Sequence, residues 1–158
     1  MNMKFEFTFE NIKKQYQHAL DEGYEFLTCE EYFQRKNNLG AATLVNRVDI
    51  DFSCKKAENL LNIFNELGVK ATFFVRLHAP EYNPFSFESF RILKAIRDAG
   101  HEIGYHSEVV DQASIWNESA ESCLTRDLSV LNSMLGIKVK GVASHGGKTG
   151  LNNLDFWK

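Results

Sequence analysis

Three cysteines, Cys29, Cys54 and Cys123, stand far apart and form neither a CxxC nor a CxxH pattern. An odd, widely spaced set argues against a disulfide framework and for small buried side chains in a reducing compartment. Proline occurs only at Pro80 and Pro84, within one loop. No apolar run reaches the roughly 18 residues that a membrane span needs. The segment Met1 to Glu10 lacks a basic stretch followed by a long apolar core, so no secretory signal is expected and the expected location is cytoplasmic. A strong charge of one sign is missing too: at a net −3, no field favours nucleic acid or an acidic membrane. There is no internal repeat and no low-complexity tract. Gly146 and Gly147 lie outside any GxGxxG or Walker pattern, so no phosphate loop is expected.

What is present is an ordinary globular composition, 44% hydrophobic and 25% charged over 158 residues, which suits one domain able to bury its own core. The first forty residues read as helical. Ile12, Tyr16, Ala19 and Leu20 recur at helical spacing, with Gly23 as a stop. Thr28 and Glu31 make a capping box that opens a short helix over 29–35, and Asn37, Asn38 and Gly40 make a linker. From there helix and strand alternate. Residues 42–51 read as a strand, and Ala57, Leu60, Leu61, Phe64 and Leu67 as a helix closed by Gly68. Val69 to Val75 is a nearly continuous apolar strand, as expected when both faces are buried. A helix marked by Phe90, Leu93, Ile96 and Ala99 precedes a short strand over 102–105. Another, marked by Ala120, Leu124, Leu128, Leu131 and Leu135, precedes a fourth strand over 139–144. The alternation predicts a parallel α/β domain, and periodicity alone does not separate an open sheet from a barrel.

Polar residues gather at the carboxyl ends of the predicted strands, where α/β folds build their sites. Asp49 and Asp51 are two apart on a strand and so share a face. Two carboxylates that close repel unless a cation lies between them, so one can bind a divalent metal while the other serves as a base. The plainer alternative is that Asp51 caps the following helix. His106 closes the third strand and offers an imidazole to Zn²⁺ or a similar metal, or is simply a polar residue. His145, followed by Gly146 and Gly147, closes the fourth, or belongs to a Gly-rich turn. His18, on a polar helix face, and His78 and His101, in or near loops, are set aside.

Together these segments resemble the polysaccharide deacetylase superfamily, of NodB type. Arg47-Val-Asp-Ile-Asp51 is similar to its first motif, in the Arg-x-Asp-x-Asp form of a divergent branch. Leu67-Gly-Val-Lys-Ala-Thr-Phe-Phe-Val75 resembles the second strand, and Ala99-Gly-His-Glu-Ile-Gly-Tyr-His-Ser107 the third with its histidine. The resemblance implies N-terminal helices (1–40) followed over 41–158 by the first part of a distorted (β/α)7 barrel. It implies a metal-dependent hydrolase that removes an acyl group, N-acetyl in the first place, from a carbohydrate. Asp49 then matches the catalytic base and His106 a metal ligand, with Asp51 and His145 completing the ligand set around a divalent ion, Zn²⁺ by preference. The chain departs from the usual pattern. Ile50 stands where the family has a second aspartate, and Val110 where it has a second histidine, for which Glu108, Asp111 or His145 are the candidates. The later motifs have no counterpart before Lys158. The expectation is therefore the front part of a barrel, whose open edge invites self-association or a partner chain. A catalytically inactive barrel that binds sugar or serves as a subunit is the runner-up. An unrelated flavodoxin-like module ranks last.

Overall fold

The computed structural model describes residues 6–158; residues 1–5 of the expected lead-in lie outside the described residues. The chain opens with α1 (Phe9–Asp21), capped by Thr8, whose side chain accepts from the Asn11 amide. Strand β1 (Glu25–Leu27) follows, and then α2 (Cys29–Arg35), which starts on the Thr28–Glu31 capping box that the sequence predicts. β1 is a strand inside the stretch read as helical, and only three residues of it carry that information.

The predicted strand over 42–51 is in fact two. β2 (Thr43–Val45) pairs in parallel with β1, whereas β3 (Arg47–Ile50) enters a separate four-stranded sheet. The switch falls at Asn46, which is buried and bonded in every direction. Its amide donates to Leu27 O, its carbonyl accepts from the Thr72 amide, its Nδ2 donates to Lys70 O and its Oδ1 accepts from Tyr16 Oη. A side chain that satisfies both sheets lets the chain pass between them without orphaned backbone groups.

The main sheet has the order β3-β4-β5-β6, all parallel, with β4 at Thr72–Val75, β5 at Glu102–Ser107 and β6 at Val142–Ser144. Its crossovers carry α3 (Cys54–Leu67), α4 (Phe87–Asp98) and the pair α5 (Val109–Trp116) and α6 (Ala120–Leu135). Ser53, Ser86 and Ser119 cap α3, α4 and α6 through their hydroxyls, which replaces part of what the first turn's free amides lose. Gly68 and Gly136 end α3 and α6 with φ of 69° and 63°, a left-handed conformation that costs a glycine almost nothing. The spacing of apolar residues does not predict α5. It starts directly after a strand, and its first amides are satisfied by a distant side chain, with Val110 N and Asp111 N donating to Asn153 Oδ1. A 3-10 turn (Asn153–Trp157) closes the chain.

Strand period sorts the sheet into two faces. Ile50, Phe73, Val75, Ile103 and Tyr105 point to the helices and join Leu61, Phe64, Ile92, Leu93, Ile96 and Leu131 in one buried core. The alternate positions, Arg47 and Asp49 on β3, Phe74 on β4, Gly104 and His106 on β5, share the opposite face, with Asp49, Phe74 and Gly104 in register across three strands. Among the described residues no helix is long and apolar enough to cross a membrane.

Candidate active site

The four parallel strands end on one side of the sheet, and that side collects the polar residues the sequence singled out. Asp51 lies at the centre. Its Oδ1 is 3.4 Å from His106 Nε2 and 3.7 Å from His145 Nε2. The same His106 nitrogen is 3.6 Å from Asp49 Oδ2. The two imidazoles stand edge to face with centroids 5.2 Å apart. Side chains from the ends of β3, β5 and β6 thus meet at one place. Asp51 does not cap α3, because Ser53 does.

The hydrogen bonds decide which ring atoms are available. His106 is buried, and its Nδ1 lies 2.9 Å from Ala143 O. A carbonyl only accepts, so Nδ1 carries the hydrogen and Nε2 presents its lone pair to the aspartates. Asp51 Oδ1 is shielded from solvent and has no hydrogen-bond partner, as is His145 Nδ1. Orphaned buried acceptors are costly, and a pair of imidazoles beside one of them is a donor set of the kind that holds Zn²⁺ or a similar ion. Ligands about 2.1 Å from a tetrahedral zinc are spaced roughly 3.4 Å from each other, close to the two separations on Asp51. As the side chains stand, no group of three or more His, Cys, Asp or Glu among the described residues is closed for a metal ion. The donors approach Asp51 pairwise instead.

Asp49 is engaged differently. Arg47, two residues earlier on the same strand face, donates Nε to Oδ1 at 2.7 Å and Nη2 to Oδ2 at 2.8 Å. The guanidinium also rides over the Phe74 ring, 5.0 Å from its centroid. Beside Arg47 and His145 opens a cleft of about 610 Å³, floored by Phe74 and flanked by Leu154 and Trp157. The Trp157 indole donates to Ser144 Oγ, leaving a partly exposed aromatic edge on the cleft.

The two carboxylates considered as stand-ins for the missing histidine have other work. Asp111 is buried and accepts from the Lys148 and Thr149 amides, the Thr149 hydroxyl and Asn153 Nδ2. Burial opposes its charge, but these donors together outweigh burial and hold its carboxyl below the usual range. It secures the loop that follows His145. Glu108 is buried against Arg76 and approaches His145 from the side away from Asp51. Arg76 itself, fully buried at the end of β4, escaped the sequence reading. The signal was a lone arginine directly after an apolar strand whose neighbours all end in chemistry.

A family model described as Polysaccharide deacetylase matches residues 50–154. Among solved structures, a Streptococcus pyogenes deacetylase, PplD, in complex with acetate is similar, with a TM-score of 0.63 and 19% identity over 89% of this chain and 64% of that one. At that identity the likeness is one of fold. It makes the helices and the four-stranded parallel sheet a half-barrel of the deacetylase type, and the chain spans less than two thirds of that protein's length. No curated protein matches the chain.

Proposed function

The chain belongs to the polysaccharide deacetylase family, and from that premise we propose that it is a metal-dependent hydrolase that removes an acyl group, N-acetyl by preference, from a carbohydrate. The observation that carries this reading is the meeting of Asp51, His106 and His145 at the ends of three strands, with His106 Nε2 left free by the bond from Nδ1 to Ala143. These three would hold a divalent ion, Zn²⁺ by preference. Such an ion, when bound, lowers the pKa of a coordinated water and polarises an acyl carbonyl. Asp49 would accept the proton of the attacking water at Oδ2, the oxygen that faces His106. Arg47 fixes the orientation of that carboxylate. The cleft beside His145 would hold the sugar, with Trp157 and Phe74 as apolar walls.

A second reading has a specific observation behind it. β6, like β3, is an edge strand of the four-stranded sheet, and among the described residues no donor trio is closed. That arrangement favours a sugar-binding or partner-dependent subunit, with a second chain or another copy on the β6 edge.

One experiment separates the two. The purified chain is titrated with Zn²⁺ or Co²⁺ by calorimetry and then assayed for acetate release from an N-acetylated oligosaccharide. Micromolar or tighter binding that is lost in Asp51→Ala and His106→Ala, together with acetate release, is the expected result. Absence of metal binding in the wild-type chain would overturn the hydrolase reading. Binding of metal and sugar without acetate release would favour the subunit.

A further inference from the structure

We propose that Glu108, clamped by Arg76, is a positioning carboxylate that aims His145 at the shared site. This inference rests on the metal reading above. Arg76 and Glu108 are 2% and 3% exposed, which is deeper than arginine and glutamate usually lie. They pair with Nη2 to Oε1 at 2.8 Å and Nε to Oε2 at 3.2 Å. A buried pair of this kind contributes little net stability, because desolvation offsets the attraction. Its placement is the informative part.

The Arg76 guanidinium also donates Nη1 to the carbonyl of Asp51 at 3.1 Å. From the end of β4 it therefore reaches the end of β3 and the residue just past β5. Glu108 carries the tie onward. Its Oε1 is 3.4 Å from His145 Nδ1, a nitrogen with no other partner. The contact is an approach rather than an aligned hydrogen bond. A small turn of the imidazole would complete it, placing the hydrogen on Nδ1 and the lone pair on Nε2, which already lies 3.7 Å from Asp51 Oδ1. The chain Arg76–Glu108–His145–Asp51 thus links all four strand ends. Carboxylates that orient ligating histidines through the second ring nitrogen set both tautomer and angle.

The test uses Glu108→Gln, which keeps shape but not charge, Glu108→Asp as the conservative variant, and Glu108→Ala. Folding is read by circular dichroism, and Zn²⁺ affinity by competition with a chromophoric chelator. The His145 tautomer is read in the metal-free protein by long-range ¹H–¹⁵N NMR at mildly alkaline pH. In the wild type, His145 is expected to carry its hydrogen on Nδ1. Glu108→Gln should shift it towards Nε2 and weaken Zn²⁺ binding roughly 10–100-fold while the fold persists, with partial recovery in Glu108→Asp. Wild-type tautomer and affinity in a folded Glu108→Gln would overturn the proposal. Should Glu108→Ala fail to fold, the Gln variant decides. Should the wild-type chain bind no metal, the metal reading falls, and an unchanged tautomer in Glu108→Gln would remove the positioning role as well.

Discussion

Arg47 grips Asp49 with two nearly equal hydrogen bonds, 2.7 and 2.8 Å, although only Val48 separates them in sequence. The strand period makes this possible, since residues two apart share a face and a long guanidinium spans the gap. Both partners are partly exposed, so the pair adds at most about 1 kcal/mol to stability. Its value is orientation. Arg47→Ala is expected to leave the melting temperature and Zn²⁺ affinity nearly unchanged and to lower the deacetylation kcat by up to about 100-fold through a misplaced base. Arg47→Lys should fall between. Steady-state kinetics beside a metal titration checks this. Equal losses of metal binding and rate would mean that Arg47 holds the site together rather than the base.

The two aspartates of β3 and its end should separate cleanly. Asp51 faces both imidazoles, whereas Asp49 touches His106 alone and is otherwise taken by Arg47. Asp51→Asn is expected to abolish Zn²⁺ binding. Asp49→Asn should retain it and lose roughly 100- to 10,000-fold in kcat, the usual reach of a general base. Calorimetry on both variants, followed by acetate release, reads the split. Metal loss in Asp49→Asn would reassign it as a ligand.

His101 supplies a pH dependence unrelated to the candidate site. Its Nδ1 accepts from the Ala71 amide and its Nε2 faces Asn65 Oδ1, so the neutral ring fits both partners and a second hydrogen would break the first bond. Burial, helped by the nearby Lys70 charge, lowers its pKa from 6.5 to about 4. Between those values the unfolded chain binds a proton that the folded chain refuses. Stability is therefore highest above pH 6.5 and falls as the pH drops towards 4, by on the order of 3 kcal/mol in total from this group. Urea unfolding across that range should show the slope, and His101→Gln should flatten it. An unchanged slope in the variant would place the effect elsewhere.

The same residue shows where the sequence stops being legible. The order of elements could be read because each long helix has an apolar stripe and a Ser, Thr or Gly at or beside its ends, with a short extended segment after it. The meeting of Asp49, Asp51, His106 and His145 was legible because parallel strands all end on one side. What escaped depends on contacts far apart in the chain. His101 looked like a loop residue, and only packing between Ala71 and Asn65 makes it part of the interior. Arg76 and Glu108, 32 positions apart, become a pair only once β4 and β5 are adjacent. α5 lacks a local cap and borrows Asn153. Asn46 divides one apparent strand into two through four bonds to other segments, none of them local.

Gly104 offers a test of how the sheet face opposite the helices supports the candidate site. A Cβ there would lie 2.3 and 2.4 Å from two carbons of the Phe74 ring and 3.1 Å from Gly141 O. That ring is the floor on which Arg47 rests, and it lies 6.5 Å from the His106 ring. Gly104→Ala must therefore push Phe74 aside, and overpacking of this kind costs about 1–3 kcal/mol. Urea denaturation should register that loss, together with a fall in deacetylation as Arg47 loses its platform. Phe74→Ala removes the obstacle and leaves a cavity of its own. In the double variant the alanine at 104 should cost clearly less than it does alone, keeping only a remainder from the Gly141 carbonyl. Strict additivity would mean that the glycine is needed for the strand's own conformation and not for the ring beside it.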